Sequence, residues 1–129
     1  MVLGGSAAGL SLMSTKLSAA QIAVYAQSAG FVDQDLTTAV AVALAESSGN
    51  PGVVGDTAIT TGGSVGLWQI NLQYHPEFAG QNLTDPQTNA NAAYSIYQAA
   101  GNSFSPWSTF KTGAYQAYMS TAESGIIAG

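Results

Sequence analysis

Few side chains in this chain can do acid, base, nucleophilic or metal chemistry: seven carboxylates, one histidine, two lysines and no cysteine. Glu46 stands apart from the other carboxylates. It follows the uncharged run Thr38-Ala39-Val40-Ala41-Val42-Ala43-Leu44-Ala45, and Val42 and Ala43 precede it by one helical turn on its own face. An apolar setting disfavours an ionised carboxylate, and so does the C-terminal end of a helix. Both effects are expected to keep the Glu46 carboxyl protonated toward neutral pH. Such a group is a general acid, suited to protonating a leaving oxygen such as that of a glycosidic bond. The alternative is a solvated Glu at a frayed helix end.

A second carboxylate opposite the first would make a two-acid site. Asp56 and Glu77 are the candidates by position. Asp56 sits among Gly and Thr and reads as a turn residue. Asp33 and Asp85 read as helix caps, and Glu123 as a solvated charge near the end. His75, in His75-Pro76-Glu77, reads as a surface or packing residue, and no metal is assigned. Gly62, Gly63 and Gly66 have no adjoining Lys or Arg, so they form no phosphate loop.

Composition narrows the functions further. Charged residues are 7 % of the chain, against roughly 25 % in an average soluble domain. The surface is therefore expected to be dressed with Ser, Thr, Gln, Asn and Gly. A net charge of -5 and only Lys16 and Lys111 as bases exclude a nucleic-acid footprint. An acidic chain also gains no long-range attraction to an anionic surface, so recognition must be short-range. Without cysteine there is no disulfide scaffold or thiol nucleophile. Met1–Met13 lacks a basic segment and is short for a membrane span, so it reads as a flexible leader before one domain over residues 14–129.

The elements that must position Glu46 read as helices. Ser18 and Gln21 form a capping-box pattern before Ala19–Ala29, and Gly30 closes it. Asp33 is expected to cap the next helix, which runs to about Ser48 and stops at Gly49-Asn50-Pro51. Pro51–Gly63 reads as a loop with room for a short hairpin, and Leu67–Leu72 as one or two helical turns. Thr84-Asp85-Pro86-Gln87 opens a helix that ends at Gly101. Ser105-Pro106 opens a short helix around Trp107 and Phe110, and a last helix carries Tyr115, Tyr118, Met119 and Ala122. The spacing of Tyr94, Tyr97, Phe104, Trp107 and Phe110 suits core packing.

Several of these segments together resemble a known family. Glu46-Ser47-Ser48-Gly49-Asn50-Pro51 followed by Gly63-Ser64-Val65-Gly66-Leu67-Trp68-Gln69-Ile70-Asn71 resembles the signature of soluble lytic transglycosylases and goose-type lysozymes. Asp85-Pro86-Gln87-Thr88-Asn89 with Tyr94 is similar to that family's Asp-Pro-x-x-Asn helix start. Ala114-Tyr115-Gln116-Ala117-Tyr118 is similar to its Ala-Tyr-Asn-Ala-Gly motif, with Gln116 and Tyr118 as departures. The version with Trp68 and Asn71 resembles domains of phage tail proteins and actinobacterial wall enzymes.

The resemblance implies a mainly α, lysozyme-like single domain with a small irregular or β insertion. It implies Glu46 as the single catalytic acid/base, with Gln69, Tyr115, Ser64 and Thr60 in the sugar site and Ser47 supporting the helix end. Trp68 would offer a face to a sugar ring or serve as plain core. The implied reaction cleaves the glycosidic bond between N-acetylmuramic acid and N-acetylglucosamine in peptidoglycan. A lytic transglycosylase is the expected type; a hydrolytic muramidase, or a non-catalytic glycan-binding module of a phage tail or wall protein, is the alternative. No cofactor, nucleic-acid partner or membrane span is expected, and the expected location is the cell wall, the extracellular space or the virion.

Overall fold

The computed structural model of the chain describes residues 16–55 and 62–128. The expected leader Met1–Met13, Asp56 and Thr60 lie outside the described residues.

Helix α1, Ala19–Ala29, begins where the sequence places its cap. Ser18 Oγ accepts from the Gln21 amide at 3.2 Å, and Gln21 Oε1 accepts from the Ser18 amide at 2.8 Å. Gly30 ends the helix at φ 132°, a conformation that suits a residue without Cβ. A Cβ there would come within 2.7 Å of the Tyr94 ring.

Helix α2, Asp33–Ser47, is the axis of the fold. Every residue from Leu36 to Leu44 is buried, because α1, the last two helices and a 3-10 helix pack around it. A helix apolar on all sides belongs at the centre of a bundle. Asp33 does not cap it as expected. The cap position is Val32, with no side-chain hydrogen bond, and Asp33 and Asp35 instead place carboxylates in the first turn, where the helix dipole favours them. At the other end Ser48 turns left-handed (φ 56°) and its amide donates to Leu44 O. Ser47 Oγ donates to Ala43 O at 2.9 Å and accepts from the Gly49 amide at 3.2 Å. These bonds satisfy backbone groups that a helix end leaves open.

Beyond α2 the chain forms a three-stranded antiparallel sheet in the order β1 (Val54–Gly55), β2 (Ser64–Val65), β3 (Ile70–Asn71). Val54 faces Val65, and Ser64 faces Asn71. The structure corrects the expectation of a helical Leu67–Leu72. Gly66 and Gln69 both take positive φ (80° and 47°), and the Gln69 amide donates to Gly66 O at 3.0 Å. The four residues between β2 and β3 therefore reverse the chain, and Ile70 leaves as a strand.

Helix α3, Pro86–Ala99, starts with Asp85 accepting from the Thr88 amide and hydroxyl, and with Pro at the first position. Asn89, fully buried, ties α3 to the sheet. Its Nδ2 donates to Val65 O (2.7 Å) and Leu83 O (2.8 Å), and its Oδ1 accepts from the Trp68 amide (2.8 Å). The two tryptophans continue the chain of bonds. Trp68 Nε1 donates to Ala39 O of α2, and Trp107 Nε1 donates to Trp68 O.

Trp107 precedes α4, Ser108–Thr112. Gly113 at φ 87° breaks the chain into a 3-10 helix, Ala114–Tyr118, before α5, Met119–Ala128. Tyr115 and Tyr118, expected on the last helix, thus lie on the 3-10 segment ahead of it. Phe31, Tyr94, Tyr97, Phe104, Phe110 and Tyr115 form a continuous aromatic layer with ring centroids 4.8–5.8 Å apart, spacings at which edge and offset contacts are favourable. Helix α5 closes the bundle against α1 and α2. Among the described residues, no helix is long and apolar enough to cross a membrane.

Candidate active site

Glu46 lies in the last turn of α2, where the buried helix reaches the surface, and is itself half-buried. Thr109 of α4 donates its hydroxyl hydrogen to Glu46 Oε2 at 2.9 Å. The carboxyl opens into a groove of about 220 Å³. Ser64, Gln69, Ile70 and Asn71 line the groove from the sheet, and Tyr74 and His75 from the turn that follows β3. Ile96 of α3 and the Pro106-Trp107-Ser108 segment complete the lining.

Local rules place these groups. The β2–β3 hairpin, pinned by Asn89, carries Ser64, Gln69 and Asn71 to the groove. Gln69 is half-buried, and its Nε2 donates to Gly66 O (3.0 Å) and Val53 O (3.3 Å). Both bonds are made by Nε2, so two backbone carbonyls fix the side-chain amide before any ligand arrives. Gly55 leaves room for it, since a Cβ there would stand 2.8 Å from Gln69 Oε1.

The expected site residues divide as follows. Glu46, Gln69 and Ser64 share the groove. Tyr115 is not part of its lining; it stacks on Phe110, a neighbour of Thr109 in α4, with centroids 4.9 Å apart. Trp68 corrects the expectation of a sugar-facing ring. It is fully buried and hydrogen-bonded to α2, so neither face reaches solvent. Thr60 falls outside the described residues. Glu77 does not face Glu46 within the groove. It lines an adjoining pocket with Ile96, Ala99, Ala100 and Pro106, and its carboxylate lies 3.9 Å from His75 Nδ1.

Sequence reasoning missed four groups that the fold brings to the site: Asn71, Tyr74, Ser108 and Thr109. It read His75 as a surface or packing residue, and the structure puts it in the groove wall. The turn pattern Asn71-x-x-Tyr74-His75, directly after a strand, was the available signal. Among the described lining residues Glu46 is the one carboxylate, and no Lys or Arg is present. No cluster of three His, Cys, Asp or Glu side chains that would hold a metal ion occurs among the described residues.

The family model of the lysozyme-like domain matches residues 23–109. The chain belongs to the lysozyme-like domain family. The matched span runs from α1 to Thr109 and so contains Glu46, the hairpin and the start of α4. Compared with curated proteins and with solved structures, the chain gives no significant match. The helical bundle with a small antiparallel sheet at one side agrees with the mainly α lysozyme-like expectation. In this lysozyme-like domain the groove lies between the sheet and the α3–α4 side, with Glu46 in its lining.

Proposed function

We propose that this domain cleaves the glycosidic bond between N-acetylmuramic acid and N-acetylglucosamine in peptidoglycan, with Glu46 as its single acid/base. The observation that carries the reading is Glu46 at the end of a buried helix, held by Thr109 and opening into a polar groove with Gln69 and Ser64. Membership of the lysozyme-like family supports the substrate class.

Glu46 in its protonated form gives its proton to the leaving glycosidic oxygen as the bond to C1 breaks. The substrate's own acetamido group stabilises C1, which removes the need for a second carboxylate. The ionised Glu46 then takes the proton of the muramyl 6-hydroxyl, whose oxygen closes onto C1 as a 1,6-anhydro ring. The lytic transglycosylase reading is preferred over hydrolysis because the sequence offers no second acid with a motif behind it: Asp56 reads as a turn residue, and Glu77 lines the adjoining pocket. Gln69, fixed by two backbone carbonyls, offers the strand a polar group that loses little freedom on binding. The domain then works at the cell wall, outside the cell or on a virion, as part of a phage tail or wall protein. Turbidity of a peptidoglycan suspension tests the enzyme reading. The purified domain is expected to clear it, and failure to clear at any pH would assign the groove to glycan holding.

A further inference from the structure

Tyr74 is an aromatic side chain left in the open. The large hydrophobic side chains exposed among the described residues are Val24, Val32, Val54, Tyr74 and Ile127. Tyr74 alone of these is aromatic and lines the Glu46 groove, with 71 % of its surface accessible. The turn that carries it is braced. Asn71 Oδ1 accepts from the Gln73 amide (2.9 Å) and the Tyr74 amide (3.3 Å), and Asn71 O accepts from the His75 amide (2.8 Å). The other aromatic in the groove lining, Trp107, is only 5 % exposed and its indole N–H is bonded to Trp68 O. An exposed tyrosine at random needs no explanation. A tyrosine on a braced turn at the mouth of a groove does, because the groove wall holds its backbone while the ring stays wet.

We propose that Tyr74 is a sugar-stacking platform, taking the apolar C–H face of a pyranose unit of the glycan strand beside the bond at Glu46. The inference rests on reading the groove as a glycan site. A pyranose ring has one face of C–H bonds and an equator of hydroxyls. Tyrosine matches it with a flat apolar ring and a polar tip, at a low entropic cost for two torsions. Charge gives no alternative, since the described lining has no Lys or Arg and the protein carries a net charge of -5. Contact area and hydrogen bonds must therefore supply the affinity.

The test measures affinity of the Glu46→Gln protein for peptidoglycan glycan strands stripped of their peptides, so that binding is read without turnover. Adding Tyr74→Ala is expected to weaken binding roughly five- to tenfold, and Tyr74→Phe to keep it, since the ring face is retained. Thermal unfolding midpoints of all three proteins should coincide because the ring is exposed. Unchanged affinity in the Tyr74→Ala protein overturns the platform and leaves the catalytic reading standing. A parent protein that does not bind the strands overturns both.

Discussion

The Thr109 hydroxyl lies 2.9 Å from Glu46 Oε2 and donates its hydrogen to it, joining the first turn of α4 to the last turn of α2. The bond sets the rotation of the carboxyl at the groove wall. Thr109→Val keeps the shape and removes the donor. It is expected to lower kcat by up to about tenfold, since a hydrogen bond to an uncharged carboxyl contributes roughly 0.5–1.5 kcal/mol. Thr109→Ser should retain most of the activity. Steady-state rates on purified peptidoglycan check this, with circular dichroism to show that the fold persists.

Asn89 holds three backbone groups of the hairpin and its flank without exposure to water. Asn89→Ala leaves those groups buried and unmatched, and is expected to cost about 2–5 kcal/mol of stability. Urea unfolding midpoints measure the loss. Gly66→Ala should be at least as damaging. The position has φ 80°, and a Cβ would stand 2.2 Å from Asn89 Nδ2 and 2.4 Å from Leu83 O.

Helices α1 and α5 meet at Gly125, where an added Cβ would lie 2.6 Å from Ala19 Cβ and 2.8 Å from the Ala20 nitrogen. Gly125→Ala improves helix propensity yet forces the helices apart. The overpacking is expected to win, with a net loss of about 1–3 kcal/mol. Thermal unfolding reports the sign directly.

Tyr97 predicts an alkaline limit. Burial is the first cause that pushes its phenol from 10.0 up to about 12, followed by its hydrogen bond to Asp35 and the charge of that carboxylate. The folded state thus favours the protonated phenol. Its contribution is full below pH 10.0 and is lost as pH rises from there through about 12. Unfolding free energies followed across that window should fall more steeply for the native protein than for Tyr97→Phe.

Local signals made the helices legible and long-range ones hid the site. Ser18, Gln21 and Gly30 act on their own neighbours, so α1 could be bounded from sequence alone. The run from Leu36 to Leu44 carries no charge, and it is the buried axis. Leu67–Leu72 misled because a short apolar run suits helix and strand equally. The decision there came from positive φ at Gly66 and Gln69, and from Asn89 some twenty residues away. Trp68 turned inward because a carbonyl of α2 accepts its indole N–H, a pairing across the chain that no spacing reveals. Tyr74 and His75 reach the groove only because the hairpin is docked on α3. Glu46 stood out as a candidate because it ends an uncharged run of its own helix, a feature that is local in the sequence.

Mass spectrometry of the soluble fragments released from purified peptidoglycan, by the native protein and by Glu46→Gln, tests the central claim most directly. The native protein should release disaccharide fragments ending in the 1,6-anhydro ring, each lighter by one water than a hydrolysed end. The folded Glu46→Gln protein should release none. Release of the same fragments by the Gln variant would contradict the assignment of Glu46.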